Sequence, residues 1–242
     1  MQQNGKTALV TGAVGQGMGR SIALTLARDG FAVALNYRQN QQAAEELAFE
    51  MQKQGGHAVM VQGDVFNQQE CEALVQATIT ELGRLDVCVI GPGANWNPEP
   101  LTDLQPEKAL RDVFQEVAPI YYLLPHALRE MGKRKQGRII GLASNLSIPS
   151  PSYAYNAAKA ARIEALRQAV ESAWKLSVTV NSIAPGPVDA FENLQTAQSY
   201  AAHAEGWASR GRVTPQDIAE GVAFLCSEAA RYITGCVLPY RF

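Results

Sequence analysis

The residues with the strongest chemical potential lie in S-Y-A-Y-N-A-A-K-A, residues 152–160. Tyr155 and Lys159 are four residues apart, and the following A-K-A-A-R-I-E-A-L-R-Q-A-V predicts a helix on which they share one face. Tyr153 is six residues before Lys159 and falls on the other side. A phenol with a pKa of about 10 is a poor acid–base catalyst at neutral pH, but a neighbouring ammonium favours the phenolate and lowers that pKa. Tyr155 is therefore the candidate general acid–base, and Lys159 the group expected to tune it.

Ser144 is the third candidate catalytic residue. It ends the apolar run G-R-I-I-G-L-A, and its hydroxyl is expected to hydrogen-bond a substrate carbonyl oxygen. Lowering the pKa of Tyr155 to near 7 would take roughly 4 kcal/mol, at about 1.4 kcal/mol per pKa unit. We expect one partly buried cation, together with a second positive charge bound nearby, to supply that energy.

The glycine-rich stretch T-G-A-V-G-Q-G-M-G-R, residues 11–20, predicts a phosphate site. It follows the first apolar run and opens a helix, where free N–H groups and the positive end of the helix dipole favour an anion. That position at the first strand–helix junction is typical of dinucleotide binding. The candidate cofactor contacts are Gly12, Gly17, Met18 and Gly19. The alternative is a glycine turn that serves only to bring helix and strand close together.

The second apolar run ends in Asn36-Tyr37-Arg38. Dinucleotide folds that prefer NAD usually place an acidic residue here to accept from the ribose hydroxyl. An arginine instead suits the additional phosphate of NADP. We therefore expect NADP(H) to be favoured over NAD(H), the alternative being that Arg38 is a solvated loop cation.

Strand-length apolar runs alternate with segments of helical period along the whole chain, which predicts parallel strands joined by right-handed helical crossovers. The fold class is thus a doubly wound α/β parallel sheet in a single domain, residues 1–242. Residues 189–210 are polar and dotted with aromatic residues, which suits either a lid over a substrate or a plain surface excursion. The predicted strands are Thr7–Val10, Ala32–Tyr37, Ala58–Val61, Leu85–Ile90, Arg138–Ala143, Val178–Ile183 and a segment around Val237.

Composition and net charge argue against several classes of binding partner. A net charge of −2 gives no electrostatic basis for binding nucleic acid or an anionic membrane, and no apolar run approaches the ~18 residues of a membrane span. Four cysteines lie far apart, without metal-ligand spacing. We expect a cytoplasmic protein that acts on a small molecule and holds no metal.

Together these motifs resemble the short-chain dehydrogenase/reductase family over nearly the whole chain. The matching segments are T-G…G-M-G near the N-terminus, G-D-V at 63–65, L-D-V-C-V at 85–89, Ser144 before Y-N-A-A-K, N-S-I-A-P-G-P-V at 181–188 and R-V-T-P-Q-D-I-A…Y-I-T-G at 212–235. The resemblance implies a Rossmann fold, a nicotinamide dinucleotide, hydride transfer between a carbonyl and an alcohol, and a homotetramer or homodimer.

The resemblance also implies roles for individual residues. Tyr155 would be the general acid–base, Ser144 would orient the substrate oxygen, and Lys159 would tune the tyrosine and hold the nicotinamide ribose. Tyr155 and Lys159 therefore also count as cofactor contacts. The remaining expected cofactor contacts are Asp64 at the adenine, Val65 and Gly91, and Pro185, Gly186 and Val188 at the nicotinamide.

The sequence departs from the family near the site. Asn-Asn-Ala-Gly is replaced by Ile90-Gly91-Pro92-Gly93, and the asparagine expected in the fourth long helix aligns with Ala118. Pro119, beside it, lacks an N–H and is expected to perturb that helix. Two functions therefore stay open: an NADP(H)-dependent oxidoreductase with Tyr155 as general acid–base, or a dinucleotide-binding regulator or weakly active relic.

Overall fold

The computed structural model describes residues 5–15, 17–147, 151–188 and 213–240. The predicted lid, residues 189–210, lies outside these described residues, as does Arg212.

Within the described residues the strands form one parallel sheet in the order β3-β2-β1-β4-β5-β6-β7. The order reverses between β1 and β4, and it is beyond the carboxyl ends of the strands at such a point that open α/β sheets bind their ligands. Each predicted strand is present, with ends displaced by at most two residues. The strands are β1 Thr7–Val10, β2 Ala32–Tyr37, β3 His57–Gln62, β4 Val87–Ile90, β5 Gly137–Leu142, β6 Val178–Ala184 and β7 Val237–Pro239.

Helices cover both faces of the sheet. Among them, α3 ends at Gly83, whose left-handed backbone (φ 79°) closes the helix. The described helices are α1 Met18–Arg28, α2 Gln41–Lys53, α3 Gln68–Leu82, α4 Pro106–Arg134, α5 Tyr153–Gln168, α6 Val170–Trp174 and α7 Pro215–Cys226.

The side chains of successive strand residues pack into two different cores, one on each face of the sheet. In β1, Ala8 and Val10 pack with α1, α2 and α7, whereas Leu9 packs on the opposite face with α3, α4 and α5. All three side chains are fully buried. This two-sided burial explains why the strands are continuous apolar runs, and it confirms the doubly wound fold.

Helix α4 runs from Pro106 to Arg134 through both Pro119 and Pro125. The expected perturbation at Pro119 therefore does not end the helix, and the residues that follow it, such as Ile120 and Leu123, pack into the core under the sheet. None of the described helices combines the length and apolar character needed to cross a membrane.

Candidate active site

Apart from Tyr155 and Lys159, the predicted cofactor contacts lie beyond the carboxyl ends of parallel strands, and therefore along one edge of the sheet. The glycine turn follows β1 and Arg38 follows β2, while Asp64 and Val65 follow β3. Gly91 follows β4, and Pro185, Gly186 and Val188 follow β6. Ser144 follows β5 at the same edge, and Tyr155 and Lys159 lie on α5, which comes next along the chain.

The glycine turn combines close packing with open space. Gly12 has a left-handed backbone (φ 65°), and a Cβ on it would approach the Pro92 ring to 2.9 Å. A Cβ on Gly19 would lie 2.3 Å from the Gly12 carbonyl oxygen, so α1 could not pack this close to the turn with a larger residue. At Gly15 and Gly17 a Cβ would meet nothing within 4 Å. Tight packing on one side and an open cradle on the other fit a bound pyrophosphate.

A buried hydrogen-bond network fixes the strand ends around this cradle. The Asn36 side chain accepts from the Gly12 N–H at 3.1 Å and donates to the Gly63 carbonyl at 2.9 Å. The Thr11 hydroxyl donates to the Val89 carbonyl and accepts from the Gly91 N–H, both at 2.9 Å. The ends of β1, β2 and β4 are thus held as one unit.

Arg38 is an exposed side chain that faces Asp64 across the ends of β2 and β3, with 3.5 Å between guanidinium nitrogen and carboxylate oxygen. The guanidinium is 58% exposed, and Asp64 Oδ1 accepts from the Phe66 N–H. Arg38 is therefore free to turn toward an added anion at little cost in lost pairing.

Ser144, Tyr155 and Lys159 lie close together at this edge of the sheet. Ser144 lies beside the Tyr155 hydroxyl and favours its ionised form, and the Lys159 ammonium lies 5.3 Å from the centre of the Tyr155 ring. Tyr155 is half-buried and Lys159 is buried, whereas Tyr153 is 54% exposed. Tyr155 is therefore the tyrosine that faces the candidate site.

The expected lowering of the Tyr155 pKa is wrong for the structure as it stands. Burial and the Glu116 carboxylate raise the pKa of Tyr155 to about 12, against smaller opposing effects of Ser144 and Arg162. The prediction counted the Lys159 ammonium as an unopposed charge. That charge is instead offset by Glu116, whose carboxylate oxygen lies 2.9 Å from Lys159 Nζ.

Glu116 and Arg162 are site residues that the sequence analysis missed. Glu116 projects from α4 with no side-chain exposure; one oxygen contacts Lys159, and the other lies 3.0 Å from the fully buried Arg162. The carboxylate also accepts from the Ala94 N–H at 2.7 Å. Gly93 permits this approach, because a Cβ there would lie 2.5 Å from both carboxylate oxygens.

The sequence carried a signal for this network. Glu116, Ile120, Leu123 and Ala127 follow helical spacing on the buried stripe of α4, so a carboxylate stands where an apolar residue is expected. Lys159, Arg162 and Leu166 follow the same spacing on α5. Opposite charges on two facing apolar stripes predict a buried ion pair. Ala118, taken as the equivalent of the family's asparagine, is buried and lies two residues from Glu116.

Arg162 also braces the loop that replaces Asn-Asn-Ala-Gly. Its guanidinium donates to the Ile90 carbonyl at 2.7 Å and to the Pro92 carbonyl at 2.9 Å. It also donates to the backbone carbonyl of Glu116 at 3.3 Å. The stiff Gly-Pro-Gly turn is therefore fixed from beneath by α5.

The loop after β6 is positioned by the last described residue. The Tyr240 carbonyl accepts from the Gly186 N–H at 3.0 Å and from the Asn145 side chain at 3.1 Å. The Asn145 side chain thus helps to hold two loops together. Asn97 donates to Glu99, and Asn95 and Trp96 are exposed.

Comparison with known proteins agrees with this geometry. The pattern of a family described as Enoyl-(Acyl carrier protein) reductase matches residues 12–240. The chain is 32% identical over 245 residues to the 7alpha-hydroxysteroid dehydrogenase of Escherichia coli (strain K12), which covers 98% of this chain and 93% of that protein. It is 33% identical over 238 residues to a 3-oxoacyl-[acyl-carrier-protein] reductase of Staphylococcus aureus, with 95% and 94% covered.

Solved structures show the same likeness. A 7 alpha-hydroxysteroid dehydrogenase complexed with NADH and 7-oxo glycochenodeoxycholic acid superposes with a TM-score of 0.84 at 29% identity, covering 99% of this chain and 94% of that one. An NAD+-bound xylitol dehydrogenase also gives 0.84, at 25% identity, with 99% and 98% covered.

Proposed function

Because this chain belongs to the short-chain dehydrogenase/reductase family of nicotinamide-dependent oxidoreductases, we propose that it is an NADP(H)-dependent carbonyl reductase or alcohol dehydrogenase with Tyr155 as its general acid–base. The observation that supports this most strongly is the cluster of Ser144, Tyr155 and Lys159 at the carboxyl edge of the sheet, where the glycine turn also lies.

In the proposed reaction, a bound nicotinamide supplies or accepts the hydride. Ser144 and Tyr155 hydrogen-bond the substrate oxygen and hold it in place. During reduction the Tyr155 hydroxyl gives its proton to that oxygen and is later reprotonated from solvent. During oxidation the phenolate takes the proton from the alcohol. Lys159 stabilises the phenolate and holds the ribose of the cofactor.

The direct test replaces Tyr155 by Phe, which removes the acid–base hydroxyl and keeps the ring. Turnover with a panel of carbonyl compounds should fall by about 10²–10⁴-fold, whereas the dissociation constant for NADPH should stay close to that of the unmodified protein. Tyr153→Phe is the matched control, because that side chain is exposed on the same helix. Equal turnover in the Tyr155 variant and the control would refute the assignment.

The preference for NADP(H) is proposed from Arg38, whose weakly paired guanidinium lies past the end of β2. Thermal denaturation with NADPH, NADP⁺, NADH and NAD⁺ in parallel tests it. A ligand at a hundredfold excess over its dissociation constant stabilises the folded state by about 2.7 kcal/mol. NADPH and NADP⁺ are expected to raise the melting temperature more than NADH and NAD⁺ do. Equal shifts with all four would show that Arg38 does not select the cofactor.

A specific observation favours the second candidate, a dinucleotide-binding regulator or weakly active relic. The pKa of Tyr155 is raised to about 12, and Lys159 is paired with Glu116. Such a protein would show the NADP(H)-induced shift in melting temperature but no turnover of any carbonyl compound, which distinguishes it from the enzyme.

We also propose that the chain acts in the cytoplasm. Its four cysteines are free thiols, as is usual in that reducing compartment.

We propose further that the chain forms a homodimer or homotetramer. Leu110, Phe114 and Tyr121 share one face of α4 and are 70%, 47% and 61% exposed. A second copy of the chain packed on this stripe would bury it. Phe114→Glu should then convert the oligomer to smaller species in light scattering after gel filtration; an unchanged mass would contradict this interface.

A further inference from the structure

Three ionisable side chains meet under the candidate site, deep in the protein. Glu116 and Arg162 have no side-chain exposure and that of Lys159 is 8%. The Glu116 carboxylate lies between the two cations, 2.9 Å from Lys159 and 3.0 Å from Arg162. Buried charges are costly unless they are paired, so this arrangement has one anion that must serve two cations.

The two cations are not equivalent. A guanidinium cannot release its proton in a protein, so Arg162 carries its charge at all ordinary pH values. Arg162 and Glu116 form an ion pair, supported by the bonds of Arg162 to the Ile90 and Pro92 carbonyls. Of the two cations, Lys159 is therefore the one whose proton can exchange.

We propose that Glu116 is a positioning residue that holds Lys159 in its ammonium form beside Tyr155, and that Arg162 acts as the opposing charge that keeps this proton exchangeable. The catalytic role of this charge network of Glu116, Lys159 and Arg162 rests on the proposed function. The effect of Glu116 and Arg162 on the protonation of Lys159 does not rest on it, because it depends only on contacts within the protein.

The charged groups that face Lys159 from the described residues define the expected signs. Glu116 on α4 stabilises the ammonium, and Arg162 on α5 destabilises it, as does burial, which is the largest effect and leaves the pKa of Lys159 lowered. Tyr155, on the same helix, is the group that the ammonium faces on the side of the active site. Removing Glu116 and removing Arg162 must therefore shift the titration of Lys159 in opposite directions.

The test is a pH titration of cofactor-free protein carrying lysine labelled with ¹³C at Cε, followed by NMR. The Lys159 signal is assigned as the one lost in Lys159→Met. We expect the Lys159 midpoint to fall by about one to three pH units in Glu116→Gln, because an opposite charge within 4–6 Å has been lost. In Arg162→Met it should rise instead.

Glu116→Asp provides a milder variant if the glutamine variant does not fold. It keeps the negative charge but shortens the side chain and draws the carboxylate away from the cations, so the midpoint should fall, by less than in Glu116→Gln. A purely structural role for Glu116 would leave the midpoint the same in every folded variant, and that result would overturn the proposal, as would shifts of the same sign in Glu116→Gln and Arg162→Met.

The outcome is separable from that of the proposed function. If the titration shows opposite shifts but Tyr155→Phe turns over normally, the charge network stands and the catalytic assignment falls. If Tyr155→Phe loses turnover but the midpoints do not move, the enzyme stands and Glu116 has no tuning role. If both hold, the pH profile of turnover in Glu116→Asp should move in the same direction as its Lys159 midpoint.

Discussion

Replacing Glu116 by glutamine should destabilise the protein by far more than an ordinary charge substitution. Glutamine keeps the shape of the side chain, and its carbonyl oxygen can still accept from the Ala94 N–H. The negative charge between Lys159 and Arg162 is lost. Lys159 can limit the penalty by releasing its proton, but the fully buried Arg162 cannot.

Breaking a buried ion pair by removing one partner costs about 3–5 kcal/mol. For a chain of this size, 1 kcal/mol corresponds to about 2–4 °C of melting temperature, so Glu116→Gln should melt roughly 6–20 °C lower. Urea denaturation, with the midpoint and slope fitted together, measures the free energy directly. Glu164→Gln is the matched control, because its partner Arg167 lies at 3.3 Å and both side chains are at least half exposed; it should change stability by no more than about 0.5 kcal/mol.

A double substitution tests the cause of the loss. Arg162→Met alone removes the brace on the Ile90 and Pro92 carbonyls and is expected to be destabilising. Combined with Glu116→Gln, it also removes the uncompensated cation, so the double variant should lose less stability than the two single variants added together. The coupling should be about 0.5–3 kcal/mol. Additive losses, or a Glu116→Gln variant as stable as the control, would refute the electrostatic explanation.

Three further outcomes are expected. Arg38→Asp should reverse the ratio of NADPH to NADH affinity measured by calorimetry, and an unchanged ratio would make Arg38 a simple surface cation. Gly19→Ala should destabilise the protein by about 1–3 kcal/mol, because its Cβ would lie 2.3 Å from the Gly12 carbonyl oxygen. Gly17→Ala, whose Cβ would lie in open space, should unfold at the same midpoint as the unmodified protein yet bind NADPH more weakly. Equal melting temperatures of the Gly19→Ala and Gly17→Ala variants would contradict this difference. Because the pKa of Tyr155 is raised to about 12, the phenol is protonated at neutral pH, so alcohol oxidation should rise by about tenfold per pH unit from pH 6 to 9 while carbonyl reduction stays nearly level; an oxidation rate independent of pH would argue against a phenolate base.

The fold was predictable because its signals are local. Leu9, for example, stands in a continuous apolar run, and its neighbours Ala8 and Val10 face the opposite core. A continuous apolar strand of this kind is typical of a sheet covered on both sides. Gly83 likewise marks the end of α3 through its own backbone conformation. Neither assignment needs knowledge of a distant partner.

The charges beneath the site were harder to predict, because their meaning depends on contacts between remote segments. Glu116 and Arg162 are 46 residues apart, and although each stands on an apolar helical stripe, neither stripe by itself shows which charge it meets. The direction of the Tyr155 pKa shift was wrongly predicted for the same reason, because the Glu116 carboxylate was not counted. The sequence placed Lys159 beside the tyrosine but did not show which carboxylate would offset it.

The brace that Arg162 provides has a consequence for how the protein is made. Its bond to the Ile90 carbonyl joins residues 72 positions apart, and the Gly12 turn rests against Pro92 in the same loop. While the chain emerges from the ribosome, β1, β2, β3 and β4 are complete long before α5 has been synthesised. The loop after β4 is then without its support, and the cradle beside it cannot take its final form. A ribosome-stalled chain that ends before residue 150 should therefore be readily cut by protease in residues 90–94, whereas one that extends beyond α5 should resist.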